Sequence, residues 1–197
     1  MSQSSDPAPE VVLDARGLRA LAHPVRVQVL GLLRRYGPAT ATQLAQRMGL
    51  TSGATSYHLR QLGAAGFVEE DTSRGNARDR WWRAAHRMTR LNDPALVERE
   101  PEAALGYLRS VATAYALRVQ QAVDEAETLP APWRRVLNLS DTGLLLTPDE
   151  ADQLHREIWE VVGRYRRNVP EEAAGAPAGA GPVSLMTHVL PEPADEP

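Results

Sequence analysis

The chain has no cysteine and no lysine. Without cysteine there can be no disulfide, no thiolate metal site and no cysteine nucleophile, and the composition suits a reducing cytosol. Without lysine, all 22 basic side chains are arginine, a bias that genomic base composition alone can produce. No window approaches the roughly 18 apolar residues that a membrane span needs. The first ten residues, MSQSSDPAPE, carry neither the basic nor the apolar stretch of a secretory signal. A glycine-rich phosphate loop, a G-x-S-x-G turn and a histidine–carboxylate group at catalytic spacing are also missing. These absences lead to the expectation of a cytoplasmic protein that is not an enzyme, has no membrane partner and needs no cofactor.

What is present is unevenly distributed. At 197 residues the chain is long for one domain and short for two, so one domain plus an accessory part is expected. The net charge of −3 conceals a strong polarity. Residues 11–92 hold 13 arginines against 5 acids, whereas residues 93–197 hold 9 arginines against 18 acids. A basic module joined to an acidic one points to a polyanionic partner for the first half only.

Residues 1–10 are Ser- and Pro-rich and read as a disordered tail. Asp14 can cap a helix through ARGLRALA, and Pro24 stands where another can start after His23. In that second helix Val25, Val29, Leu32 and Leu33 form one stripe, ended by Gly37-Pro38. Thr40 or Thr42 caps a short helix, TQLAQRM, with Leu44, Ala45 and Met48 turned inward and Gly49 as its stop. A further helix runs from about Ser52 to Ala65, stopped by Gly66. FVEEDT and DRWWRA then read as short strands around the loop SRGNAR. Two helices joined by a tight glycine turn and followed by a hairpin make a winged helix-turn-helix pattern.

The helix from Ser52 has two unlike faces. At about 100° per residue, Thr55, Leu59 and Leu62 share a narrow arc and should face the core. Gly53, Ser56, Tyr57, Arg60 and Ala64 share another arc that is small and polar at its start. A major groove about 12 Å wide accepts a helix presenting short donors and acceptors, and the first helical turn aims backbone N–H groups at phosphate. A solvated face that merely happens to be small is the plainer reading. The arginine-bearing hairpin and the basic surroundings weigh against it. Candidate DNA-binding residues are therefore Ser52, Gly53, Ser56, Tyr57 and Arg60 on the helix, with Arg74, Arg78 and Arg80 in the wing. His58, at the edge of the buried arc, reads as a packing residue, and His23 as a helix-boundary residue. For Arg26, a nearby acid and a phosphate are equally open partners. Trp81 and Trp82 alternate across a strand, so one should pack on the core while the other meets a neighbouring helix.

LRALAHPVRVQVLGLL, QLAQRMGL and SYHLRQLGAAGFVEE, followed by a hairpin, together resemble the winged-helix domain of ArsR/SmtB-type transcriptional regulators over residues 14–90. The resemblance implies a dimeric regulator on an imperfect inverted repeat, with residues 51–65 in the major groove. It names no effector. Metal-sensing members carry a cysteine pair on the helix before the turn, or histidine and carboxylates after the wing. Here that helix reads TQLAQRMG, and His155 and Glu157, two apart, point away from each other on a helix. About four ligands in fixed geometry are required, so no metal site is expected.

Pro101 opens a long helix expected to reach Leu129. Leu105, Leu108, Ala112, Tyr115, Val119, Ala122, Ala126 and Leu129 recur along it at alternating spacings of three and four, a heptad seam. The first six are the candidate dimerisation residues. Packing of a lone helix on its own domain is the alternative. Beyond it, WRRVLNLS and GLLLT read as strands, Thr147-Pro148-Asp149-Glu150 as a helix start, and PVSLMTHVLP as a last strand. Trp133, Trp159 and Tyr165 would supply the core of that part or line a pocket.

The expected architecture is mainly α with small β. It comprises a tail (1–10), a winged helix-turn-helix domain (11–92), a linker and dimerisation helix (93–129), a small α+β dimerisation or effector module (130–191) and a second tail (192–197). The expected function is a sequence-specific, homodimeric regulator of double-stranded DNA, acting as a repressor. The alternatives are a winged-helix protein-interaction module and a regulator that senses a small molecule in its C-terminal module.

Overall fold

Capping chemistry sets the helix boundaries in the computed structural model, which describes residues 8–74, 79–168 and 175–192. Strand β1 (Ala8–Val12) leads to α1 (Ala15–Leu21), whose first turn is capped by Asp14 accepting from the Gly17 N–H at 2.7 Å. His23 caps α2 (Pro24–Tyr36), accepting the Val25 N–H at Nδ1, and Gly37 closes the helix at φ +79°. A short strand, β2 (Ala39–Thr40), runs into α3 (Ala41–Met48). There Thr40 and Gln43 form a reciprocal capping box, and Gly49 takes the left-handed conformation that ends the helix. Thr51 caps α4 (Ser52–Ala64), which Gly66 terminates at φ +81°.

After α4 the chain forms β3 (Val68–Glu70), β4 (Trp81–Ala84) and β5 (His86–Arg90). β3 and β4 are the antiparallel arms of the wing, with Val68 opposite Ala84, and β2 adds a third strand on the other edge of β4. β1 pairs in parallel with β5, Ala8 opposite His86 and Val12 opposite Arg90. Residues 8–10, read from composition as tail, therefore lie in a strand. β5 was not legible as one either, because HRMTR has almost no apolar alternation. Pairing across 78 residues of chain, not local propensity, makes both strands.

α5 (Pro94–Arg99) and α6 (Pro101–Asp124) follow, and a single 3-10 turn occupies Ala126–Thr128. α6 is thus shorter than its periodicity suggested. The core gathers Leu18 and Leu21 of α1, Val29, Leu30 and Leu33 of α2, Leu44 of α3, Leu59 and Leu62 of α4, and Phe67. α6 closes it with Ala104 and Tyr107, while Ser110 and Ala114 of the same face are also buried. Arg34 of α2 ties the β1–β5 pair to this core. Its Nε donates to the His86 carbonyl at 2.8 Å and its Nη2 to Thr89 Oγ1 at 2.7 Å. Burial lowers its pKa to about 10, while Tyr107 and Tyr115 oppose the fall. It remains charged at neutral pH.

The chain divides into two units, Met1–Ala126 and Glu127–Pro197. The second contains α7 (Ala131–Arg134) and α8 (Pro148–Val162), the latter started by a capping box between Thr147 and Glu150. The three strands expected at WRRVLNLS, GLLLT and PVSLMTHVLP do not form. The first begins as α7, and the others are without regular structure. An isolated pair of strands is marginal without a third strand or a helix covering an apolar face. Here Leu144, Leu145 and Leu146 stay exposed, and no described residue after Ala114 is buried. Trp159 and Tyr165 are likewise exposed and make no core, although the Trp159 ring donates to His155 at 2.9 Å. The α+β description of this part is corrected to helix and irregular chain. Taken whole, the fold is mainly α, a winged helix-turn-helix with a small sheet.

Candidate nucleic-acid interface

α4 presents the two faces its sequence implied. Thr55, Leu59 and Leu62 are fully buried, and Thr55 satisfies its hydroxyl on the Thr51 carbonyl at 3.0 Å. On the other side Ser52, Gly53, Tyr57, Arg60 and Ala64 are exposed and Ser56 is half-buried. Tyr57 keeps 54% of its surface open, so its ring is not there to fill the core. Nothing lies within 4 Å of where a Cβ on Gly53 would stand. The first turn of α4 is therefore bare backbone and hydroxyls, free to approach another surface.

The wing stands beside that face. Trp82 of β4 packs on α4, its Cζ3 3.2 Å from where a Cβ on Gly63 would sit. This close approach fixes the distance between helix and wing. Trp81, on the alternate side, borders a hollow of about 500 Å³ with Leu32 and Tyr36 of α2 and Leu44 of α3. The two tryptophans thus divide as alternation required. Between α4, the N-terminus of α3 and the wing lies a second, more polar hollow of about 340 Å³. Ser52, Ser56 and Arg60 border it from α4, Asp79 and Arg80 from the wing, and Thr40, Ala41 and Thr42 from the start of α3.

Four of the eight candidate residues, Ser52, Ser56, Arg60 and Arg80, are thereby brought to one groove. Gly53 and Tyr57 are exposed on the same helix but do not border it. Arg80 pairs with Glu70 at 3.2 Å, both side chains open to solvent. An exposed pair of this kind is worth about 0–1 kcal/mol and can exchange for a phosphate. Arg74 lies over the Trp81 ring and pairs at 3.5 Å with Asp71, which is buried. Asp71 also accepts from the Ser73 hydroxyl at 2.6 Å and organises the base of the wing loop. Arg74 thus braces the wing while its own side chain stays mostly open to solvent. Arg78 lies outside the described residues. Thr40 and Thr42 had not been picked out as interface residues. Their signal in sequence was the capping box of α3, which places a helix start beside α4.

At the other edge of α4 lies an unpredicted cluster. The His23 and His58 rings sit 4.7 Å apart, and Tyr57 meets His58 edge-on at 5.5 Å. Burial, then the charge of Arg26, lowers the pKa of His23; burial, then His23 and Arg26, lowers that of His58. Arg26 makes no salt bridge among the described residues, and its Nε is buried without a hydrogen-bond partner, as is Nδ1 of His58. The nearby acid left open for Arg26 is not found among the described residues.

Of the dimerisation candidates on α6, Leu105, Leu108, Ala112 and Ala122 are exposed, and Tyr115 and Val119 half-buried. The face that packs on the unit's own core is instead Ala104, Tyr107, Ser110 and Ala114. The heptad seam is therefore not the surface that holds α6 to its own unit.

Fold and face together define a helix-turn-helix protein with a wing. The model of a family described as a helix-turn-helix domain matches residues 21–71, from the end of α1 to the base of the wing. No curated protein matches the chain. The domain supports DNA binding and transcription regulation. Among the described residues no helix is long and apolar enough to cross a membrane.

Proposed function

We propose that this chain is a DNA-binding transcriptional regulator of ArsR/SmtB type, which binds an inverted-repeat operator as a homodimer and acts as a repressor. In this reading α4 enters the major groove. Tyr57 and Arg60 reach base edges, while Ser52, Gly53 and Ser56 allow close approach of the first turn. Arg74, Arg78 and Arg80 hold the flanking backbone from the wing. The observation that carries the reading is the polar groove bordered jointly by Ser52, Ser56, Arg60 and Arg80 and by the start of α3. It joins recognition helix, helix start and wing on one surface of the basic half.

The domain division proposed with it assigns residues 11–92 to DNA, 93–129 to pairing and 130–191 to dimerisation or effector binding. Two half-sites one helical turn apart, about 34 Å, require two recognition helices held at fixed separation. The exposed seam of α6, with Leu105 and Leu108 about half open, supports a second copy of the chain as what covers it.

A fluorescence titration with promoter-region DNA at several salt concentrations tests the reading. Affinity should fall linearly in log–log form, by about 0.9 per phosphate engaged. Salt-independent binding, or no binding to any genomic fragment, sinks it.

A further inference from the structure

We infer that the hollow between the end of α2, the outer edge of α3 and the wing strand β4 is a binding site for a small planar aromatic carboxylate. The inference goes beyond the DNA-binding reading, and none of the residues that border this hollow borders the polar groove.

At about 500 Å³ the hollow has the size of a small-molecule site. Its lining is of three kinds. Leu44, fully buried, and Leu32, half-buried, make an apolar floor. Tyr36 in the last turn of α2 and Trp81 of β4 add two large rings, one exposed and one half-buried. Freeing leucines and rings from water favours an apolar guest, and ring faces favour a flat one. The third kind is a polar rim on α3, formed by the exposed side chains of Gln43, Gln46 and Arg47.

The rim decides the charge of the guest. Gln43 Oε1 accepts the Thr40 N–H at 2.9 Å, so the amide hydrogens on its Nε2 are what it offers to the hollow. The Arg47 guanidinium lies 4.4 Å from the centre of the Tyr36 ring, a cation–π contact that holds it at the rim. Arg47 makes no salt bridge among the described residues, and no acidic side chain borders the hollow. Arg74 lies over the Trp81 ring at 6.0 Å, but its charge already has Asp71 as a partner. Donors at the rim without a carboxylate select an oxyanion, and the planar fork of a guanidinium matches a carboxylate with two parallel bonds. An aromatic ring seated on the leucines beside Trp81 brings a carboxylate on its edge to Arg47. An uncharged ring leaves Arg47 without its anion, and an aliphatic acid forgoes the ring faces.

The test uses the full chain, isotope-labelled for nuclear magnetic resonance, because its four tryptophans report separately through their indole N–H signals. The Trp81 signal is assigned with Trp81→Phe. The protein is titrated with naphthoate, with its uncharged amide naphthamide, and with the saturated, non-planar acid decahydronaphthoate. Naphthoate should shift the Trp81 signal in a saturable way and leave those of Trp133 and Trp159 in place. Naphthamide should bind about tenfold more weakly or worse, and so should naphthoate to Arg47→Gln. The saturated acid should bind about threefold more weakly or worse. Arg47 is exposed, so Arg47→Gln should keep the wild-type circular dichroism. No saturable shift of Trp81 below about 1 mM naphthoate overturns the inference, as does a shift that Arg47→Gln leaves unchanged. Equal affinity for the amide or for the saturated acid overturns the ligand class. A shift of Trp159 alone places naphthoate on the exposed apolar residues of the second unit and equally overturns it. None of these measurements contains DNA, so the DNA-binding reading stands or falls separately.

Discussion

Arg34 donates to Thr89 across 2.7 Å, joining the last turn of the second helix to a strand 55 residues later in the chain. The same guanidinium holds the His86 carbonyl at 2.8 Å. Hydrogen bonds from a charged donor contribute about 1.5–3 kcal/mol each, less what desolvation costs. Arg34→Ala should therefore destabilise the first unit by about 2–3 kcal/mol, read as a lowered midpoint in chemical denaturation. A loss under about 0.5 kcal/mol, the range of ordinary surface substitutions, means that the β1–β5 pair is held without it.

Arg60 borders the polar groove from α4, and Arg80 borders it from the wing. Arg60→Ala should cost about 1–3 kcal/mol of discrimination between operator and random DNA. Arg80→Ala should weaken both DNAs by a similar factor. Competition titrations with and without random DNA separate the two. Equal losses on both DNAs for Arg60→Ala make it a backbone contact instead.

Leu108 of the α6 seam is 52% exposed and Val119 is half-buried, so the seam contributes little to the unit's own core. The double substitution Leu108→Asp/Val119→Asp should leave circular dichroism intact. Sedimentation should report a monomer, and operator affinity should fall toward that for random DNA because one module buries too little surface for specific binding. A double variant that still sediments as a dimer places dimerisation elsewhere in the chain.

The His23 and His58 pKa values both lie below 6.5 in the folded protein without DNA. A base whose folded pKa is depressed binds fewer protons than its unfolded counterpart. The stability it contributes is present above pH 6.5 and is lost as pH falls below that value. Denaturation midpoints of the free protein should thus decline from pH 7 to pH 5, and His58→Gln should flatten the decline. Identical pH profiles for the two proteins exclude His58 as a source.

Local signals carried most of the helical framework. Asp14, His23, Thr40, Thr51 and Thr147 each stand at a helix start, and Gly37, Gly49 and Gly66 follow helix ends with positive φ. Capping and left-handed stops depend on a few adjacent residues, so they are visible in sequence. The buried arc of Thr55, Leu59 and Leu62 was visible for the same reason: one helix's periodicity decides it.

Strands obey no such local rule. β1 and β5 exist because each finds the other, whereas GLLLT, with three leucines in a row, finds no strand partner among the described residues and stays irregular. Tertiary structure alone also decided which face of α6 is buried, since the exposed seam is if anything more apolar than the core-facing Ala104, Tyr107, Ser110 and Ala114. It alone brought the start of α3 to α4, and His23 to His58, more than thirty residues away in the chain. Such encounters depend on how helices cross and pack. No window of sequence contains both partners of the contact.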